Sequence, residues 1–471
     1  MMMHFLSLFL LLLQRFHNSN AFSIGSPPLS SYSSSLSSRS TTSHVPQIPL
    51  HASPPSQRIE DVPPPPTTKL QPRTGIGQTL LNLALASPLW KNVLVPQARN
   101  TMVQTAEANG IPWQSCHQWI SHHPAAPWNH PSNNHENDET IYPEYYRQAF
   151  HAYEKGNLSW EAAWEQEIAS CAVGARNFPK FGYQGEDVFR SSFERTLVGD
   201  CQGRIPSPKN PNDNDDKIVI VDMGCGTGTS TRRLASLFSS EDIEFVGIDL
   251  SPYFISVGTW LLETTPQSVF SKGDNDNNDN DNVDNDGGSW VNTIHSDDRI
   301  TLQVGDITHL PHIPSSSVHI VNLMFVLHEM PLDQIQNTLK EAYRLLLPGG
   351  QLWISEMDFQ SPAYAKQRSN PMLFSLLRAT EPFLDEYADG MPEIWRCLEE
   401  LFVSVRIEAA TGRHYSLVAT KGMQEEEEGE GGRRKCQMED GRFQKDGSYV
   451  KDDTHLMLWE SKDNDASRTS P

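Results

Sequence analysis

The chain has 471 residues, 20% of them charged and 37% hydrophobic, with a formal net charge of −22 at pH 7. So acidic a balance, with no basic stripe to offset it, argues against a surface dedicated to the phosphate backbone of a nucleic acid. The length permits two or three domains, and the six cysteines contain no C-x-x-C pair, which suits a reducing compartment better than a disulfide framework.

In chain order, the apolar run from Phe5 to Leu13 is nine residues long. That is too short to span a bilayer, so 1–21 reads as a signal peptide and no transmembrane segment is expected in the mature protein. Residues 22–72 are rich in Ser and Pro, and no acid precedes Glu60, the composition of a transit peptide. The sequence SNAFSI around Ala21 and Phe22 resembles the A-F junction of bipartite presequences in algae with complex plastids. That resemblance implies a plastid (chloroplast) destination; an ordinary secretory signal before a Ser-rich linker is the alternative. Residues 73–205 are expected to form a helical extension, and the stretch from Tyr142 to Phe193 alone holds twelve of the 42 Phe, Trp and Tyr. His117, His122, His123, His130 and His135 fall in a Pro- and Asn-rich loop without regular ligand spacing, so no metal is expected. The extension reads either as a cap lending Tyr146, His151 and Arg190 to a substrate pocket, or as helices whose aromatic side chains only pack on a sheet.

The stretch Ile218 to Ala235, IVIVDMGCGTGTSTRRLA, turns from a β-branched apolar run into a helical pattern across three glycines. Ile218 to Val221 read as a parallel strand covered on both faces, and a helix follows from Thr229, with Ser230 or Thr231 available to cap it. A dinucleotide fingerprint would need a third glycine at Thr229, and a phosphate loop would need a Lys-Ser/Thr pair. The turn instead carries Gly224, Gly226 and Gly228 after the acidic Asp222. Its backbone N–H groups and positive helix end are offered to a ligand. A second strand, Ile243–Ile248, ends in Asp249, and Pro252 opens the next helix. A carboxylate at that strand tip either caps the helix or accepts the hydroxyls of a ribose.

Residues 272–288 form an Asp/Asn run and 422–471 a charged tail; together they carry about −10 of the net charge and are expected to be solvated and unstructured. Between them, Ile300, Leu302 and Val304 alternate as a strand that ends at Gly305-Asp306-Ile307. The run from Val318 to Phe325 reads as a further strand leading into VLHEMP. A helix from Leu332 to Leu347 stops at Pro348-Gly349-Gly350, and strands follow at Gln351–Met357, Leu401–Ile407 and His414–Thr420.

In this order IVIVDMGCGTG, VGIDLS, QVGDI, VNLMFVLHEMP and LLLPGGQLWISE resemble the motif series of class I S-adenosylmethionine (SAM) methyltransferases of the type 11 group, over 217–421. The aromatic extension is similar to that of an uncharacterised plant, algal and cyanobacterial branch. The resemblance implies an α/β fold, the Rossmann-like doubly wound sheet of class I methyltransferases, here with an N-terminal helical cap. It implies S-adenosyl-L-methionine as cofactor, held by Asp222, Gly224, Gly226, Gly228, Asp249, Leu250, Asp306, Ile307 and Asn322, with Asp306 on the adenine amino group and Ile307 beside the ring. The partner would be a small-molecule methyl acceptor, with quinol, pigment and lipid precursors as candidates. A protein or tRNA methyltransferase and a catalytically silent SAM-binding scaffold are the alternatives. His328 and Glu329, just past the fourth strand, are the candidate catalytic pair, either as a general base or as a cap for the helix at Leu332. Glu356 and Asp358, at the next strand end, are weaker candidates.

Overall fold

The computed structural model describes residues 95–130, 142–151, 153–204, 217–263, 297–369, 380–423 and 435–451. The presequence, the start of the extension and the 272–288 run lie outside the described residues.

Eight strands form one sheet in the order β3-β2-β1-β4-β5-β7-β6-β8. β1 (Ile218–Met223), β2 (Ile243–Asp249), β3 (Ile300–Val304), β4 (Val318–Met324) and β5 (Leu346–Met357) are parallel. β7 (His414–Thr420) runs against β5 and β6 (Ser404–Ala409), and β8 (Gln437–Asp440) lies parallel to β6. The strand order reverses between β1 and β4, the place where open α/β sheets seat ligands over the carboxyl ends of their strands. The expected α/β, doubly wound architecture is therefore present. Ile218, Ile220, Val221 and Met223 are all but inaccessible, which is why β1 reads as an unbroken apolar run.

The extension contributes α1 (Val95–Ala108), α2 (Trp113–His122), α3 (Trp160–Asn177) and α4 (Gly185–Arg195). Ser159 caps α3 by accepting the Ala162 N–H, the usual role of a serine at that position. The sheet is flanked by α5 (Thr229–Leu237), α6 (Pro252–Glu263), α7 (Leu332–Leu345), α8 (Pro362–Ser369), α9 (Leu384–Asp389) and α10 (Met391–Leu401). α7 buries Ile335, Thr338, Leu339, Ala342 and Leu345, one stripe at helical spacing. α6 is apolar on nearly every side because it is covered twice. Tyr253, Phe254, Val257, Trp260 and Leu261 share one apolar cluster with Trp113, Ile120, Ala163 and Ile168 of the extension.

Four local expectations are corrected. His117 and His122 lie on α2 and not in a loop, since Trp113, Cys116 and Ile120 supply a buried helical stripe. β5 starts at Leu346, so Pro348-Gly349-Gly350 form its irregular entry, with Gly349 at φ 78°. Leu401 closes α10 and the strand after it begins at Ser404. The tail is not uniformly unstructured, because 435–451 adds β8 and a buried anchor. Strand pairing uses backbone groups, which a polar QMED segment supplies as well as an apolar one. Beyond it Arg442, 1% exposed, donates from Nη1 to Asp358 (3.0 Å), from Nη2 to Gln360 (2.8 Å) and from Nε and Nη2 to Asp440 (3.0 and 2.7 Å). Tyr449 O–H donates to the other oxygen of Asp358 at 2.7 Å.

Candidate active site

The glycine turn leaves β1 with Gly224, Gly226 and Gly228 all at positive φ (73°, 57° and 86°), a conformation that side-chain-bearing residues resist. Space is short as well: a Cβ on Gly224 would lie 2.6 Å from Val326, and one on Gly226 would lie 2.0 Å from the Gln166 amide, which would have to move. Gly228 starts α5 without any side-chain cap. Ser230 and Thr231, read from sequence as capping residues, instead donate to Asp222 Oδ2 at 2.6 and 2.7 Å, and Asn322 Nδ2 donates to Oδ1 at 2.7 Å. Asp222 is 1% exposed; burial raises its pKa, against those hydrogen bonds. Asp222 thus braces the turn together with Asn322 through buried hydrogen bonds.

The extension is fastened to the same turn. Gln166 Oε1 on α3 accepts the Thr227 N–H, and the adjacent Glu167 accepts from Thr227 Oγ1 (2.7 Å), Thr229 Oγ1 (2.9 Å) and the Arg232 guanidinium. Burial raises the Glu167 pKa, but Arg232 and the hydroxyls outweigh it and leave it below the ordinary value. Asp249, at the tip of β2, accepts Gly226 N–H at 3.0 Å on Oδ2, and Ser251 N–H at 2.8 Å and Tyr146 O–H at 3.1 Å on Oδ1. Burial raises its pKa. The Ser251 bond makes Asp249 a turn-stabilising residue as well as a candidate ribose acceptor. Tyr146 brings a hydroxyl to the carboxylate at the place proposed for a ribose hydroxyl. Asp306 is half-buried and binds Thr308 through N–H and Oγ1 (2.9 and 2.6 Å), Ile307 joins the main core, and Leu250 is half-buried next to Asp249.

The second group of expected residues meets at the C-terminal ends of β4 and β5. Phe325 takes a positive φ of 58°, uncommon outside glycine, and turns the chain so that His328 and Glu329 follow at once. Its ring is held by Phe189 and Phe193 of α4, with centroids 5.6 and 5.3 Å away. His328 Nδ1 lies 2.8 Å from Glu356 Oε1 and Nε2 lies 3.4 Å from Glu381 Oε2. Its backbone N–H also donates to Glu356 Oε2 at 3.3 Å. Burial pulls the His328 pKa down, but the carboxylates win and raise it to about 10. His328 is thus an imidazolium with both nitrogens turned to acids, and it has no lone pair with which to act as the expected base. Neither His328 nor Glu329 caps α7: Pro331 occupies the cap position and the Leu332 N–H goes to Glu386.

Glu329 is different. Its pKa is raised to about 8, first by burial and then, against the pull of His328, by Glu381 and Asp249. Its side chain nevertheless keeps 26% of its surface open, and that of His151, whose pKa burial and the His328 charge lower to about 3, keeps 44%. Both side chains therefore stay partly open to solvent beside the buried His328 and Glu356. His151 Nε2 stands 3.9 Å from Glu329 Oε1 and 3.8 Å from Glu381 Oε1, beyond hydrogen-bond reach.

Of the three substrate candidates, Tyr146 therefore sits with Asp249, and His151 sits with Glu329. Arg190 joins neither. Its guanidinium is held by Glu186, Ser170 and Met324, so it is a buried structural cation. Sequence reasoning missed Gln166, Glu167 and Glu381. No motif marks them, and only the packing of the extension on the sheet shows why acids occupy a buried helix face. Among the described residues no His, Cys, Asp and Glu group is arranged to hold a metal ion, all six cysteines are free, and no helix is long and apolar enough to cross a membrane.

The residues of the first group fit SAM: a turn built on three glycines at positive φ, and a strand-end carboxylate already bonded to that turn. Residues 221–352 match the family model of a methyltransferase domain. Similar solved structures include the CMeT domain of a citrinin polyketide synthase, at 14% identity over 55% of this chain and 57% of that one, TM-score 0.35. This chain thus spans little more than half the length of that domain. A SAM-dependent methyltransferase from Methanosarcina mazei matches at 17% identity over 44% of this chain and 94% of its own, TM-score 0.28. An arsenic(III) S-adenosylmethionine methyltransferase from Chlamydomonas reinhardtii matches at 19%, over 50% and 73%, TM-score 0.28. No curated protein matches by sequence. Residues 221–352 are thus similar to a methyltransferase domain, and they sit in an α/β doubly wound sheet.

Proposed function

We propose that the whole chain is an enzyme that methylates a small-molecule acceptor, with Glu329 taking the acceptor's proton. When bound, SAM supplies an electrophilic methyl group on its sulfonium. Gly224, Gly226, Gly228, Asp249, Leu250, Asp306 and Ile307 would hold it, with Asp222 and Asn322 bracing the turn. Tyr146 and His151, five residues apart, join the extension to the two ends of the site, so alignment of the reactants falls to the extension as well as the sheet; alignment is worth up to about 7–11 kcal/mol of barrier. The carrying observation is the division of labour between neighbours. His328 is locked between Glu356 and Glu381 as a cation, whereas Glu329 keeps open surface and a pKa of about 8, suited to general-base work near neutral pH.

The test is Glu329→Gln. It should lower kcat by about 10²–10⁴-fold while leaving SAM affinity within about threefold. In the wild type kcat/KM should rise with pH up to about 8, as Glu329 ionises, and that limb should vanish in the variant. Full turnover in the variant would remove Glu329 from the mechanism. We further propose membership of the plant, algal and cyanobacterial branch and a plastid location. Fusing residues 1–59 to a fluorescent reporter tests the location, and secretion of the reporter would refute it.

A further inference from the structure

We propose that the acceptor is an amine, received as an ammonium ion between Glu381 and Glu329 and methylated on nitrogen. This rests on the methyltransferase reading above and names its substrate class. The ledger of charges around His328 is uneven. His328 is matched by Glu356 at 2.8 Å. Glu381 is less well matched: among the described residues its Oε2 is a buried atom without a hydrogen-bond partner, and only 12% of the side chain is exposed. His328 Nε2 lies 3.4 Å from it, and Arg176 is the other cation that acts on Glu381. Its Oε1 and the Oε1 of Glu329 approach the same nitrogen, His151 Nε2, at 3.8 and 3.9 Å without bonding to it.

A buried carboxylate left without donors is costly, and in its ionised form it accepts hydrogen bonds without donating any. An ammonium brings three N–H donors and no acceptor, so it can serve Glu381 and Glu329 together. An alcohol brings one donor, and a carboxylate or phosphate would be repelled. The chemistry balances. The ammonium gives one proton to the Glu329 carboxylate, which frees the nitrogen lone pair. The nitrogen then forms the N–C bond as the S–C bond of SAM breaks with its electron pair kept by sulfur, leaving a methylammonium product and neutral S-adenosylhomocysteine.

The experiment uses the full chain with S-adenosylhomocysteine present and compares benzylamine with benzyl alcohol by calorimetry, followed by labelled methyl transfer to each. The amine should bind at least about tenfold more tightly, the scale of one charge-assisted hydrogen bond, and should be the molecule labelled. Glu381→Gln, a change of charge at nearly constant shape, should cost the amine about tenfold in affinity and leave SAM affinity within about twofold. Equal or tighter binding of the alcohol, or label on the alcohol alone, would overturn the proposal. So would a loss of SAM affinity in Glu381→Gln as large as the loss for the amine, since the carboxylate would then serve the cofactor's own cation. Failure of the wild type to bind SAM at all would overturn the methyltransferase reading beneath it.

Discussion

Replacing His328 with Gln keeps a hydrogen-bond donor and removes the charge that Glu356 is built around. Glu356 is fully buried, and its oxygens accept from His328 Nδ1, the His328 N–H and the Met357 N–H. Breaking one side of a buried ion pair typically costs about 3–5 kcal/mol, because the partner charge is left uncompensated. A second route gives a similar size. Moving a pKa from 6.5 to about 10 is worth roughly 5 kcal/mol at about 1.36 kcal/mol per pH unit. Because the folded-state pKa lies above the unfolded one, this stabilisation is fully present below pH 6.5 and is lost as pH rises through about 10. Urea unfolding of wild type and His328→Gln across that range should show a gap of about 3–5 kcal/mol near neutral pH that closes near pH 10. A gap that stays constant through pH 10 would refute the reasoning. His328 would then be neutral in the folded protein and available again as a base.

Asp249→Ala should weaken SAM binding by about 10–100-fold in calorimetry, since hydrogen bonds to a charged group are worth about 1.5–3 kcal/mol each; unchanged affinity would sink the ribose assignment. Arg442→Met should lower the melting temperature by roughly 6 °C or more, from about 3–5 kcal/mol for an orphaned Asp358 at about 2 °C per kcal/mol. An unchanged melting temperature would mean that the C-terminal strand is dispensable.

Much of the sheet was legible because its signals are local. β1 and β2 announce themselves as β-branched runs, and the turn between β1 and α5 is fixed by three glycines within five residues. Asp249 could be proposed because a strand tip has one address. What escaped depends on distant contacts. Ser230 and Thr231 sit where caps belong, yet a buried Asp222 beneath them competes successfully for both hydroxyls. Glu167 faces the turn from an acid-bearing helix whose apolar periodicity is weak, so nothing in α3 advertised it. His328 was read as a base because the carboxylates that raise its pKa, Glu356 and Glu381, come from other parts of the chain. β8 was hidden for a different reason: its pairing is carried by the backbone, and its anchor Arg442 looked like one more charge in a charged tail.

The attachment of the extension has a thermodynamic corollary. Tyr146 bonds to Asp249, and His151, five residues on, stands 3.9 and 3.8 Å from Glu329 and Glu381. Gln166 meanwhile occupies the N–H of Thr227. A ligand that displaced Tyr146 from Asp249 would shift the short segment that also carries His151, so occupancy of one half of the proposed site would bear on the other. Linkage makes that influence mutual: whatever factor the cofactor contributes to acceptor affinity, the acceptor returns to cofactor affinity. A fragment beginning at Lys217 would lack both Tyr146 and His151, and cofactor and acceptor affinities measured on it should influence each other less than in the full chain.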